Sequence, residues 1–159
     1  MRKAKLDDID DLYEIYMDES VNPYMAFDPS PRSEFASIFE ELCLGGDLLV
    51  FEESNEIVGV CKIIRRKLRL RHVAYIGSLA VTSSKQGKGI GKRIMTQVLD
   101  MLQTEGFKRI ELFVASDNIK TIGFFKSFGF EIEGTLRSFF SREGSDKYFN
   151  EHIMALLYE

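Results

Sequence analysis

The chain has 159 residues, of which 45% are apolar, enough for one hydrophobic core, so a single domain over 1–159 is expected. Its 21 Lys and Arg against 25 Asp and Glu give a formal charge of −4, which argues against a general nucleic-acid binder. No apolar run approaches a membrane span, and two histidines, His72 and His152, argue against a histidine-based metal site. Cys43 and Cys61 lack metal-ligand spacing; with no signal-peptide pattern they read as buried thiols in a reducing cytoplasm.

Residues 1–5 alternate and predict a short first strand. Asp7 or Asp8 then caps a helix whose apolar positions Ile9, Leu12, Ile15 and Tyr16 recur at helical spacing. From 19 to 30 the pattern stops in a loop carrying Tyr24, Met25 and Phe27. Ser30-Pro31 signals a second helix, with Phe35, Ile38, Phe39 and Leu42 on one face and Gly45-Gly46 as its stop. Strands are predicted over 47–52 and 57–66 about the turn Glu53-Ser54-Asn55-Glu56. A second hairpin at 67–71 leads into a central strand through 74–81. Ile90, Ile94, Met95, Val98, Leu99 and Leu102 give the next helix a broad apolar stripe as far as Gly106. A strand at 109–115, a short helix at 119–128 capped by Asp117-Asn118 and stopped by Gly129, and strands at 130–140 and 147–157 complete the chain. The order β-α-α-β-β-β-α-β-α-β-β predicts an α+β (mixed α/β) fold: a mixed sheet of about seven strands with helices on both faces.

The stretch between the central strand and the striped helix carries chemistry. Gln86-Gly87-Lys88-Gly89-Ile90-Gly91 opens a helix, and glycines there let backbone amides converge on an anion at the positive end of the helix dipole. A dinucleotide fingerprint needs glycine where Lys92 stands. A Walker A loop needs glycine at Gln86 and Ser or Thr at Arg93, so neither fits. The pattern Gln/Arg-x-x-Gly-x-Gly does fit, with Gln86, Gly89 and Gly91 in register. On these six residues alone, a plain glycine-rich turn before a helix stays open.

With that loop the chain resembles the GNAT superfamily of N-acetyltransferases. Three downstream stretches extend the resemblance. Asn118, Ile122, Phe124-Phe125-Lys126 and Phe128-Gly129-Phe130 are similar to the family's Asn-x-x-Ala-x-x-Leu-Tyr-Glu-Lys-x-Gly-Phe. Phe130-Glu131-Ile132-Glu133-Gly134-Thr135 resembles its Phe-x-x-Glu-Gly run. Residues 148–154, Tyr-Phe-Asn-Glu-His-Ile-Met, are similar to the end of bacterial amino-acid and ribosomal-protein acetyltransferases. These matches fall within 72–157; the first seventy residues agree in element order.

The resemblance implies acetyl-CoA as cosubstrate, no metal, and direct attack of a primary amine on the thioester. It implies that the strands 74–81 and 109–115 splay into a cleft for the pantetheine arm. Backbone groups of Leu79, Ala80 and Val81 would line that arm and polarise the thioester carbonyl. Amides of Gln86, Gly87, Lys88, Gly89, Ile90 and Gly91, with Lys92, would hold the pyrophosphate. Asn118 would bond the pantetheine, cap its helix, or do both. The basic cluster Arg65, Arg66, Lys67, Arg69 and Arg71 reads as a solvated hairpin tip, or as a contact for an acidic substrate or the cofactor's ribose phosphate. Homodimers are common in the family; neither nucleic acid nor membrane is implied as a partner.

One departure concerns proton transfer. Phe125 stands where the family usually has the tyrosine that protonates the leaving thiolate, and a phenyl ring donates no proton. Tyr148, Ser127 and Tyr75 are candidates to replace it, each also readable as structural. Loss of such an acid costs about 10²–10⁴ in rate, softened by a thiol pKa of about 8.5. At neutral pH, deprotonating a lysine costs about 4.6 kcal/mol and an α-amine about 1.4 kcal/mol. Ser78 and Tyr75 are the hydroxyls on the central strand, which carries no strong base, so small amines or amino-acid α-amines are favoured acceptors. Glu151 and Glu111 read as bases, as ammonium partners, or as ordinary solvated or paired carboxylates. Tyr24, Met25 and Phe27 either line an acceptor pocket or form a lid on the core. A protein N-terminus or a polyamine is the alternative acceptor; a non-catalytic acetyl-CoA sensor or assembly module is the alternative function.

Overall fold

A computed structural model describes every residue except Ala26 and Gly46, so the second half of the predicted Gly45-Gly46 stop lies outside the described residues. Among the described residues, seven strands and four helices follow in the predicted order. They are β1 (Arg2–Lys3), α1 (Ile9–Met17), α2 (Arg32–Leu44), β2 (Leu48–Glu53), β3 (Glu56–Arg65), β4 (Val73–Val81), α3 (Ile90–Thr104), β5 (Arg109–Ala115), α4 (Ile119–Lys126), β6 (Glu131–Ser141) and β7 (Tyr148–Leu157). The sheet runs β1-β2-β3-β4-β5-β7-β6. β4 and β5 are parallel, whereas β1–β2, β2–β3, β5–β7 and β6–β7 are antiparallel. Contacts divide the chain into two units, 1–63 with 78–100 and 64–77 with 101–159, so β3, β4 and α3 each contribute to both.

In the first unit, Ser54 and Asn55 both take positive φ, which a two-residue hairpin turn between β2 and β3 requires. Strand alternation then sends Leu48, Val50 and Val60 to one face, where they join Leu12, Ile15 and Tyr16 of α1 and Phe35, Phe39 and Leu42 of α2 in one buried cluster. Gly59, one residue out of phase with Val60, faces the other side. A Cβ built there would lie 2.5 Å from Ile94 Cδ1, so α3 packs on that opposite face. Helices therefore cover both faces, as expected. Asp8 acts differently from the predicted cap. Its carboxylate makes no capping bond to α1 and instead accepts from the Lys5 amide at 2.7 Å and from both Arg2 Nη atoms at 2.7 and 2.8 Å.

In the second unit, Ile110, Leu112 and Val114 of β5 are buried on one face, with Met154 of β7 opposite Leu112. Both predicted glycine stops close helices by backbone geometry. The Gly106 amide bonds Gln103 O and the Phe107 amide bonds Leu102 O; the Gly129 amide bonds Lys126 O and the Phe130 amide bonds Phe125 O. Both glycines have positive φ, a conformation that is costly for other residues. The predicted second hairpin at 67–71 contains a single 3-10 turn, Leu68–Leu70, with Leu68 itself at φ 57°.

Candidate active site

β4 leads through the turn Ser83–Lys85 into the glycine loop, all within the first unit. Gln86 secures the loop by donating from Nε2 to Val81 O at 3.1 Å, and Lys88 Nζ donates to Ser84 O at 3.1 Å. Gly87 and Gly89 have φ of 74° and 77°, and a Cβ at either would meet nothing within 4 Å. Glycine is thus demanded by backbone conformation, and the space beside it is open. The first intrahelical bond joins the Arg93 amide to Gly89 O, so amides of the first turn of α3 have no carbonyl of their own helix to meet. Arg93 is anchored to Glu53. Ile90 is buried, so only its backbone is available to a ligand, while Lys88 and Lys92 are exposed. This cradle of amides, open space and two lysines fits a phosphate ester.

Just before the loop, Ser78 has φ 48°, a left-handed residue inside a strand. Such a conformation in a non-glycine residue costs about 1–3 kcal/mol and concentrates at working sites. The Ser78 side chain interacts with the Tyr16 phenol, yet Tyr16 Oη reaches no partner with hydrogen-bond geometry. Burial pushes the Tyr16 hydroxyl well above the usual phenol range. Ala80 is buried with the α1–α2 cluster, and Leu79 and Val81 are half-buried. The loop 19–30 is held by Asn22, which sequence reasoning passed over: its Nδ2 donates to Tyr16 O at 3.0 Å and to Phe27 O at 3.2 Å. Phe27 lies edge-on to Tyr16 with centroids 5.5 Å apart, so it packs on the core as a lid would. Tyr24 is exposed.

In the second unit, the β4–β5 register runs from Val73 opposite Arg109 to Ile76 opposite Leu112, and both strands continue beyond it. Tyr75 pairs with Glu111 and its ring contacts Phe113 edge-on at 5.5 Å. The ring lies over Gly77, where a Cβ would come within 2.9 Å of Tyr75 Cε1. Glu111 is engaged by Arg109 at 3.2 Å and by Arg66 at 3.6 Å. The Glu151 carboxylate makes no hydrogen bond or ion pair with any described residue, and burial pushes it above the usual range. Burial, and secondarily Glu151, raise the Tyr75 hydroxyl as well. Tyr75, opposite Glu111, and Glu151, opposite Ala115, lie on the same face of the sheet.

Tyr148 is not in that group. It is 71% exposed and, by alternation along β7, projects from the face opposite Glu151. Ser127 Oγ is taken up by Phe124 O at 2.6 Å. Asn118 caps α4, its Oδ1 accepting from the Thr121 amide at 3.2 Å. Phe125 is buried, its ring 5.3 Å from Phe124 and 5.7 Å from Phe130. In the basic cluster, Arg65 makes two bonds to Glu105, at 2.7 and 2.8 Å, whereas Lys67, Arg69 and Arg71 stand exposed around the turn. No group of three or more His, Cys, Asp or Glu among the described residues is placed to hold a metal. No helix among them is long and apolar enough to cross a membrane.

The sequence model of the acetyltransferase (GNAT) family matches residues 9–130, which include the glycine loop and α4. The chain belongs to the GNAT family. It is 33% identical over 103 residues to the L-amino acid N-acetyltransferase of Escherichia coli (strain K12), a match covering 64% of this chain and 62% of that relative. Among solved structures, the ribosomal-protein-alanine N-acetyltransferase of Brucella melitensis superposes with a TM-score of 0.79 at 23% identity, covering 99% of this chain and 98% of that one. A Salmonella typhimurium protein solved with its cofactor acetyl-CoA gives 0.78 at 21% identity, covering 99% and 92%. At these identities the structural likeness carries the fold.

Proposed function

We propose that this GNAT chain works as one acetyltransferase domain that moves an acetyl group from acetyl-CoA to a primary amine, a small molecule or an amino-acid α-amine. The observation that carries the reading is the loop Gln86–Gly91, open and glycine-dependent in conformation, inside the family match. When bound, acetyl-CoA supplies an activated acyl thioester. Amides of residues 86–91, with Lys92, hold its pyrophosphate. Leu79, Ala80 and Val81 offer backbone groups beyond the irregular residue Ser78, where they orient the acyl carbonyl. Asn118 caps α4 and adds a polar contact. Phe125 offers no proton, so solvent or a hydroxyl such as that of Tyr75 would have to protonate a departing thiolate. Glu151 accepts or steadies the ammonium proton. The two free thiols Cys43 and Cys61 suit a reducing compartment, the cytoplasm.

The test combines calorimetric titration with acetyl-CoA and thiol release against a panel of amino acids, peptides with free N-termini and polyamines. Absence of both acetyl-CoA binding and thiol release would sink the reading. The phenyl group at 125 favours a second reading, a binding module without turnover. Acetyl-CoA binding with no acetylated product across the panel would establish it.

A further inference from the structure

We propose that the face formed by Tyr75, Phe113 and Phe139 binds the apolar side chain of the acceptor, while Glu151 pairs with its ammonium group. This rests on the transferase reading and names the acceptor class: primary amines bearing an aromatic or branched aliphatic group, free or at a peptide N-terminus.

The β6–β7 register jumps from Leu136 opposite Glu151 to Phe140 opposite Phe149, four steps along β6 against two along β7. Two extra residues therefore bulge from β6, the kind of irregularity that re-aims a side chain. Ser138 in the bulge takes φ 51°, and its amide donates to Asn150 Oδ1 at 2.8 Å, which fixes the distortion. The bulge turns Phe139 back over the sheet, edge-on to Phe113 at 6.1 Å. Phe113 in turn contacts Tyr75, giving three rings from three strands in a row.

Two of these rings are exposed, Phe113 by 38% and Phe139 by 51%, so they make an apolar wall facing solvent. Glu151 stands diagonal to Phe113 on the same face, since Ala115 pairs with Glu151 and Phe113 with Ile153. It is half-buried and unpaired among the described residues, whereas Glu111 on that face is held by arginines. An anionic point beside an apolar wall complements an ammonium group attached to an apolar chain. A dicarboxylic amine would bring a like charge to Glu151.

The experiment uses the full chain, with 2-phenylethylamine, ethanolamine, spermidine and a phenylalanine-initiated peptide as probes. It reads kcat/KM for acetyl transfer and, separately, ligand-observed NMR binding. At least a tenfold preference for phenylethylamine over ethanolamine is expected, expressed in KM. Phe139→Ser should collapse that preference while leaving acetyl-CoA affinity unchanged. Glu151→Gln should weaken phenylethylamine binding but not that of uncharged 2-phenylethanol. The peptide arm reports whether the amine comes free or on a chain. Equal turnover of ethanolamine, or preference for spermidine, overturns the inference and leaves the transferase reading intact. So does loss of self-association in Phe139→Ser without a change in preference, because a second copy then covers the rings. Phenylethylamine binding that Phe139→Ser abolishes, with no turnover of any amine, sinks the transferase reading and supports this face.

Discussion

Gly59→Ala tests how α3 is seated on the sheet beside the glycine loop. The new Cβ would lie 2.5 Å from Ile94 Cδ1 and 2.9 Å from Ala80 O. The first atom ends a flexible side chain, but the second is β4 backbone within the stretch assigned to the pantetheine arm. Overpacking of this kind costs about 1–3 kcal/mol. Replacing glycine by alanine in the interior of a strand returns about 0.5–1 kcal/mol of chain entropy. A net loss of about 1–2 kcal/mol is expected, or about 2–8 °C in Tm for a chain of this size. Ile94→Val removes the clashing methyl, at a cost of about 0.5–1.5 kcal/mol on its own. The double variant should therefore lose less than the two singles together, with a coupling of about 1 kcal/mol. Urea denaturation of the four proteins measures this cycle. Strict additivity, or a neutral Gly59→Ala, would refute the close approach of α3 to β3.

Four further outcomes follow from named groups. Arg2, hydrogen-bonded to both oxygens of Asp8, holds that carboxyl below the usual range. The resulting stability is complete above the ordinary carboxylate pKa and lost as pH falls through the lowered one. Asp8→Asn should thus cost about 1.5–3 kcal/mol at neutral pH and flatten the acid limb of a stability–pH curve. Cys61 is buried, with its thiol pushed up to about 12, so iodoacetamide at neutral pH should modify it only after unfolding, as peptide mass mapping would show. Asn118→Ala removes the bond to the Thr121 amide and should cost about 1 kcal/mol, whereas Asn118→Asp keeps that cap and loses the Nδ2 donor; a rise in acetyl-CoA Kd in both variants marks a cofactor contact. Glu151→Gln removes a carboxyl that burial holds above its ordinary pKa, so wild type should lose stability relative to the variant as pH rises through that interval. Parallel melts from pH 4 to 8 would reveal an unchanged difference if the group were solvated.

The element order is readable from sequence because its markers are local. The stripe from Ile90 to Leu102 needs only helical periodicity, and Gly106 and Gly129 mark stops because positive φ there demands glycine. Gly87 and Gly89 mark the loop before α3 for the same reason. Ser78 and Ser138 take equally unusual backbone angles, yet serine carries no signal for them; at Ser138 the amide hydrogen bond to Asn150 Oδ1 accompanies the distortion. Asp8 illustrates a related ambiguity. A carboxylate before a helix can cap forward or bond backward, and the distant Arg2 and the Lys5 amide decide for the latter. Phe113 and Phe139 are far apart in sequence and meet across the intervening β7 because β6 bulges. No periodicity in either strand announces that meeting.

The two carboxylates beside Tyr75 show why partners matter more than residue type in choosing an acceptor group. Glu111 and Glu151 lie on the same face, one opposite Tyr75 and the other within its electrostatic reach. Glu111 belongs to a chain of pairs in which Arg109 also binds Glu133, so its charge is already neutralised and its position serves the sheet. An arriving ammonium there would have to displace a guanidinium. The Glu151 carboxylate is half-buried without a partner among the described residues, a state that costs folding energy and that the proposed ammonium contact would relieve. The same burial raises its proton affinity. Pairing separates the two: Glu111 is held by arginines within the sheet, and Glu151 is the carboxylate left for the proposed acceptor.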